Sequence, residues 1–316
     1  MDEFSLIRRY FAGLTEHAPG VRLGIGDDAA ILIPPPGHEL LMTSDTLVAG
    51  RHFPLHTVAY DIGWKALAVN LSDLAAMGAA PLWFLLALTL PSPDERWLAG
   101  FADGLRELSE QHGIALVGGD TTRGPLSITI TAVGSAPAGT ALRREGAKVG
   151  DVVCVTGTLG DAALALSGRA PALQQRLDRP TPRIDAGLAL RGIATAAIDL
   201  SDGLAGDLGH VLAASGMGAE LDAETLPMSE AFALATESAE RLTLQAARGD
   251  DYELCVCLPS SRLREARAAV EATGTTLTAI GVISAEPGLR WTRGGLPIDG
   301  PQHGYRHFDD GSAAHG

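Results

Sequence analysis

Aspartate falls repeatedly at the end of an apolar run or inside a glycine-rich turn, and this placement constrains the fold more than any other feature of the chain. Five segments carry it: Gly26-Asp27-Asp28-Ala29-Ala30, Thr43-Ser44-Asp45, Asn70-Leu71-Ser72-Asp73, Gly118-Gly119-Asp120-Thr121 and Asp199-Leu200-Ser201-Asp202-Gly203. Apolar strands that break into polar turns and then into helices describe an α/β architecture. Residues 40–42 form such a strand, running into Thr43, Ser44 and Asp45, and a helix is expected over 61–77 with Ile62, Ala66, Val69 and Asp73 at helical spacing. A strand at 82–90 ends at Pro91, a helix starts near Ser92-Pro93-Asp94 and reaches about His112, and a strand at 114–117 opens onto Gly118-Gly119-Asp120. Residues 126–133 alternate as a half-buried strand does.

A chain of 316 residues with 46% hydrophobic residues suggests two domains. Residues 136–150, rich in alanine, glycine and charge, form the expected connection, giving domains 1–140 and 141–316. In the second domain strands are expected at 151–155, 197–200, 252–258 and 277–283, and helices at 160–167, 185–196, from Ser201 onward, and at 260–272. Residues 171–183 read as a proline-containing loop, and the polar residues that close the chain as mobile apart from 304–308.

The aspartates share one chemistry. Hard divalent cations take oxygen ligands, magnesium commonly through a few carboxylates, water and phosphate oxygens, so the set suits a metal-bridged phosphate chain. Each segment alone also reads as a turn or a helix cap; their recurrence is what points to a site. Asp73 is the most informative, because its helix is otherwise largely apolar: either a metal neutralises it or it lies on a narrow exposed stripe.

Phosphate would have to be held without a Walker loop, since the only lysines, Lys65 and Lys148, follow Trp64 and Ala147. Gly157-Thr158-Leu159-Gly160-Asp161 reads first as a helix cap, while Arg143-Arg144 offers bidentate phosphate contacts or else a solvated connection. The net charge of −14 argues against nucleic-acid and anionic-membrane partners. Cys154, Cys255 and Cys257 form no CxxC pair and read as reduced core residues. Neither a signal-like start nor a membrane-spanning apolar run is present, so a soluble cytoplasmic protein is expected.

Taken together, GIGDDAA at 24–30, TSD at 43–45, NLSDLAAMGA at 70–79, GGDTTRG at 118–124, DLSDGL at 199–204, GDDYELC at 249–255 and GYRHF at 304–308 closely resemble the thiamine-monophosphate kinases. Looser forms of some motifs occur in aminoimidazole ribonucleotide synthetase, selenophosphate synthetase and the hydrogenase-maturation dehydratase. No cysteine precedes Cys154 and no C-terminal Cys-Glu pair occurs, which separates the chain from the last two. A non-catalytic thiamine-phosphate sensor could lose the metal aspartates, and all are present.

The resemblance implies a two-domain α/β, PurM-like fold: N-terminal domains pairing into a dimeric β-barrel-like sheet, an α/β sandwich as the C-terminal domain, and ATP between the domains. It implies a homodimer that phosphorylates thiamine monophosphate with ATP and several magnesium ions. Carried over by position, Asp28, Thr43, Ser44, Asp45, Asp73, Asp120, Asp199 and Asp202 would bind magnesium. Gly119, Asp120, Arg144 and Ser201 would contact ATP, and His52, Asp250 and Tyr305 would contact thiamine monophosphate. Arg248 and Asp250 stand where that family usually has glycine and glutamate, so the substrate-facing carboxylate is shorter here.

Overall fold

The structure is a computed structural model that describes residues 3–15 and 19–305. Its first elements are α1 (Glu3–Tyr10), β1 (Val21–Leu23), β2 (Ile31–Leu32), β3 (His38–Val48), α2 (Ala59–Ala76), β4 (Ala80–Leu90), α3 (Glu95–His112), β5 (Ala115–Arg123) and β6 (Ser127–Pro137). There follow β7 (Asp151–Thr156), α4 (Asp161–Leu166), α5 (Gln174–Asp178), α6 (Ile184–Leu190), β8 (Ala196–Asp199), α7 (Leu204–Ser215), β9 (Gly218–Asp222), α8 (Glu230–Ala235) and α9 (Ser238–Ala246). The last are β10 (Leu254–Pro259), α10 (Leu263–Glu271), β11 (Leu277–Ser284), β12 (Gly288–Arg293) and β13 (Leu296–Ile298). The terminal motif from Arg306 onward and the polar tail lie outside the described residues.

This mixed α/β chain divides into two compact units. One comprises Met1–Arg143, Asp178–Ala194 and Glu265–Thr275; the other comprises Arg144–Leu177, Thr195–Arg264 and Thr276–Gly316. The first unit holds a four-stranded sheet in the order β3-β6-β4-β5, with β4 and β5 parallel and the other pairs antiparallel. Helix α2 packs against β3, β4, β6 and α3. Two glycines let α2 and α3 touch backbone to backbone: a methyl at Gly63 would lie 2.1 Å from the Phe101 carbonyl oxygen, and one at Gly104 2.0 Å from that of Tyr60. Asp94 begins α3 by accepting the Arg96 and Trp97 N–H groups, and Gly113 ends it at φ 62°, which is why this helix was readable at both ends.

Two aspartate segments expected in turns lie inside strands. Thr43-Ser44-Asp45 continues β3, where Ser44 and Thr46 pair with Thr131 and Thr129 of β6 at 2.9 and 2.8 Å between hydroxyls. Gly118-Gly119-Asp120-Thr121 continues β5 past a bulge opposite Phe84 and Leu85.

The second unit is built on a seven-stranded sheet, β13-β12-β9-β11-β7-β10-β8, in which β9 and β12 are parallel and the remaining pairs antiparallel. Val153, Val155, Ile198, Leu208, Cys255, Cys257 and Trp291 share its core. All three cysteines are buried and free, as expected, and burial pushes the Cys255 and Cys257 thiols up.

Several boundaries move. The expected 171–183 loop contains α5, and α6 stops at Leu190 just before Gly192 at φ 68°. Helix α7 starts at Leu204 rather than Ser201, because Gly203 takes φ 108°. The 252–258 strand begins only at Leu254, since Asp250 and Tyr252 adopt left-handed φ values of 69° and 49°. No helix among the described residues is long and apolar enough to cross a membrane.

Candidate active site

Alternation along β3 decides which side chains meet α2. Leu41 and Leu47 are buried, and Thr43 and Asp45 between them share their side of the strand; Leu40, Met42, Ser44, Thr46 and Val48 alternate with them and are exposed. Asp73 comes from α2 to meet the first group: the Thr43 hydroxyl donates to it, and it also hydrogen-bonds the Asp45 side chain. Fully buried Asn70 completes the corner, accepting the Asp45 N–H at 3.2 Å and donating to the Ala66 carbonyl at 3.1 Å.

Two half-buried carboxylates therefore face each other. Burial above all, then the charge and hydrogen bond of Asp73, raise Asp45 from 3.8 to about 6. The recorded donors are oxygen alone, and each carboxylate disfavours charge on the other. Both properties fit a hard cation such as magnesium.

The other expected residues of this unit lie around the same sheet. His52 follows β3, and its Nδ1 accepts the Val48 N–H at 3.0 Å, which fixes the proton of the neutral ring on Nε2. Asp28 is exposed between β1 and β2. The register sets Asp45, Ile130, Leu86 and Gly119 in one row across the sheet and Thr46, Thr129, Ala87 and Asp120 in the next, so Asp120 does not share the row of Asp45. Gly119 is required at its place: with φ 146°, a methyl there would lie 1.9 Å from the Leu86 carbonyl oxygen. Among the described residues, no three or more His, Cys, Asp or Glu side chains gather into a metal-holding group.

In the second unit the expected residues converge on one turn. Asp199 ends β8 and is 5% exposed. Just beyond it, the Ser201 carbonyl accepts the Asp250 N–H at 2.8 Å and the Asp202 carbonyl accepts the Tyr305 N–H at 2.9 Å. Arg144 acts on the same neighbourhood through its charge on Asp207. Ser201, Asp202, Asp250 and Tyr305, scattered along the sequence, are thus neighbours.

Three features escaped sequence reasoning. Asn70 lay inside a quoted motif without an assigned part. Asp207, buried and raised to about 7 chiefly by desolvation, was visible only as an acid on an apolar helix, the same signal that singled out Asp73. The third is a buried ionic cluster. Arg176 pairs with Glu253 at 3.0 Å and lies 3.7 Å from Asp161, whose oxygens also accept the Thr158 and Ser229 hydroxyls. Asp251 accepts the Gly160 N–H, and burial keeps its pKa well above the usual carboxylate range.

Both halves of the chain match known protein families. Residues 26–136 match the family described as AIR synthase related protein, N-terminal domain, and residues 148–293 match AIR synthase related protein, C-terminal domain. The thiamine-monophosphate kinase of Salmonella typhimurium is 48% identical over 318 residues, covering 97% of this chain and 98% of that one. The chain belongs to the thiamine-monophosphate kinase family. A crystal structure of a family member from Stenotrophomonas maltophilia superimposes with a TM-score of 0.87 at 45% identity, covering 94% of this chain and 98% of that one. A second family structure, AaThiL complexed with AMPPCP and TMP, gives a TM-score of 0.76 at 32% identity over 90% and 92% of the two chains. The family motifs therefore stand on matching folds.

Proposed function

We propose that this member of the thiamine-monophosphate kinase family transfers the γ-phosphoryl group of ATP directly, in line and with Mg²⁺, onto the phosphate of thiamine monophosphate. The product is thiamine diphosphate, and the reaction closes the biosynthesis of that cofactor. The observation that carries the metal dependence is the Asp45–Asp73 pair, two carboxylates brought together with hydroxyl and amide oxygens around them. The solved family complex with AMPPCP and TMP supports the choice of the two substrates.

Bound magnesium would neutralise charge between two polyanions and orient the transferred group. Several ions would be shared among Asp28, Thr43, Ser44, Asp45, Asp73, Asp120, Asp199 and Asp202, of which Thr43, Asp45 and Asp73 meet in the structure. Gly119, where a side chain would collide with the Leu86 carbonyl, Asp120, Arg144 and Ser201 are the residues that would contact ATP. His52, in the Nε2–H form, donates to a phosphate oxygen of thiamine monophosphate. Asp250 offers charge, and Tyr305 its ring face, to the thiazolium cation. The attacking oxygen belongs to a phosphate already ionised near neutral pH, so positioning and charge neutralisation suffice without a general base.

A second copy of the chain completes the reading. Leu40, Met42, Val48 and Leu85 are exposed on the four-stranded sheet, and their apolar surface supports a homodimer in which two such sheets join in a barrel-like arrangement. A cytoplasmic setting supplies the ATP.

The test is a turnover assay with purified protein, Mg²⁺, ATP and thiamine monophosphate, scored for ADP and thiamine diphosphate. Chelation of the metal should abolish turnover, and Asp73→Ala should lose activity with its fold intact. Phosphorylation of free thiamine as readily as of the monophosphate would refute a phosphate acceptor.

A further inference from the structure

Asp207 lies in the first turn of α7 and is 3% exposed, yet the chemistry above gives it no part. Its Oδ2 accepts two backbone N–H groups, those of Asp202 and Gly203, each at 3.0 Å. A carboxylate that served α7 alone would bond N–H groups within the helix. Asp207 instead reaches back to the turn that precedes it.

While Asp207 holds N–H groups of that turn, the turn's carbonyls hold two other segments. Leu200 accepts the Tyr252 N–H at 2.8 Å, Ser201 accepts that of Asp250 at 2.8 Å, and Asp202 accepts that of Tyr305 at 2.9 Å. The packing is tight enough to transmit a shift: a methyl at Gly249 would lie 2.1 Å from the Ser201 carbonyl oxygen, and one at Gly304 2.2 Å from that of Asp202. Asp250 and Tyr252, at φ 69° and 49°, occupy backbone conformations that persist only where neighbours impose them, and these bonds impose them.

We infer that Asp207 is a positioning residue: by fixing the 200–203 turn from inside, it sets at once the places of Ser201, Asp202, Asp250 and Tyr305. The inference rests on the reading of those four as ligand contacts. Asp207 itself touches no substrate and acts through the backbone of one turn.

The experiment is steady-state kinetics on the full chain, with thiamine monophosphate, ATP and Mg²⁺ varied in turn and thermal melting followed by circular dichroism. Asp207→Ala, assayed well below its melting temperature, raises KM for thiamine monophosphate about 10- to 100-fold, the scale on which small misplacements act. The Mg²⁺ concentration for half-maximal activity rises with it. Asp207→Asn, which keeps an oxygen where Oδ2 lies, restores both towards wild type.

A purely stabilising residue would lower the melting temperature and leave KM and the Mg²⁺ requirement unchanged. That result in Asp207→Ala, or equal impairment in Asp207→Asn, overturns the inference. Should Asp207→Ala accumulate unfolded, Gly304→Ala carries the test, because its methyl displaces Tyr305 from the same turn. An unchanged KM in Gly304→Ala then overturns the inference. Wild-type protein that formed no thiamine diphosphate would instead refute the proposed function; calorimetric binding of thiamine monophosphate to the Asp207 variants would still read the positioning.

Discussion

Asp45→Asn is expected to stabilise the metal-free protein while removing its activity. Asp45 titrates at about 6 in the fold against 3.8 ordinarily. At 1.36 kcal/mol per unit, that difference corresponds to about 3 kcal/mol. The sign follows from which state binds the proton. Near pH 4 the folded carboxyl is protonated and adds no repulsion towards Asp73. As pH rises to about 6 the unfolded chain gives up this proton while the fold keeps it, so stability falls, and above that range the loss is complete. Asparagine does not titrate, and its amide can donate to Asp73. The variant should therefore match the wild type near pH 4 and exceed it by about 2–3 kcal/mol at pH 8, a rise of about 4–6 °C in melting temperature for a chain of this length.

Differential scanning fluorimetry in chelator, at steps from pH 4 to pH 8, reads this gap directly. Mg²⁺ should raise the wild-type melting temperature, as any ligand of the folded state does, and raise that of Asp45→Asn much less. Turnover of the variant should fall at least about 100-fold, the scale of a lost electrostatic contact in phosphoryl transfer. A variant that melts at or below the wild type at pH 8 in chelator would refute the reasoning, as would a gap independent of pH.

Arg176→Met leaves Glu253, fully buried, without its guanidinium partner, and should cost about 3–5 kcal/mol, seen as a melting temperature lowered by about 6–10 °C. A loss under about 2 °C would show that Asp161, Asp251 and Glu253 share their protons without it. Met42→Glu places a charge on a residue 71% exposed on the four-stranded sheet; gel filtration should report a dimer for the wild type and a monomer for the variant. An unchanged elution volume would move the interface elsewhere.

Helices α2 and α3 were legible because helical spacing and an Asp94 cap are local signals. Thr43-Ser44-Asp45 and Gly118-Gly119-Asp120-Thr121 looked like turns because glycine and aspartate disfavour strands on their own. Cross-strand partners such as Thr131 and Thr129 reverse that preference, and no local pattern announces them. The β12–β13 hairpin left a trace in Gly294-Gly295, at φ 57° and 76°, but its strands are too short for periodicity to register. The site divides in the same way. Its aspartates stood out singly by residue type, whereas the meeting of Thr43, Asp45 and Asp73 depends on how α2 lies on β3. The gathering of Ser201, Asp250 and Tyr305 depends on backbone bonds, which side-chain identity does not encode.

The charge balance of the chain follows from that site. An enzyme that brings two polyanions together needs positive charge, and this one has a formal net charge of −14. Part of its basic complement is spent internally: Arg179 pairs with Asp61 and stacks over Tyr60, Arg176 serves Glu253, and Arg169 serves Glu240. On the proposed function magnesium would supply the charge between the phosphates, and the raised Asp45 reflects its burial first and the neighbouring Asp73 carboxylate second. An arginine at Asp45 or Asp73 would remove that repulsion and bind phosphate permanently, holding the product as firmly as the substrates. Carboxylates that carry exchangeable cations allow the charge to leave with the product.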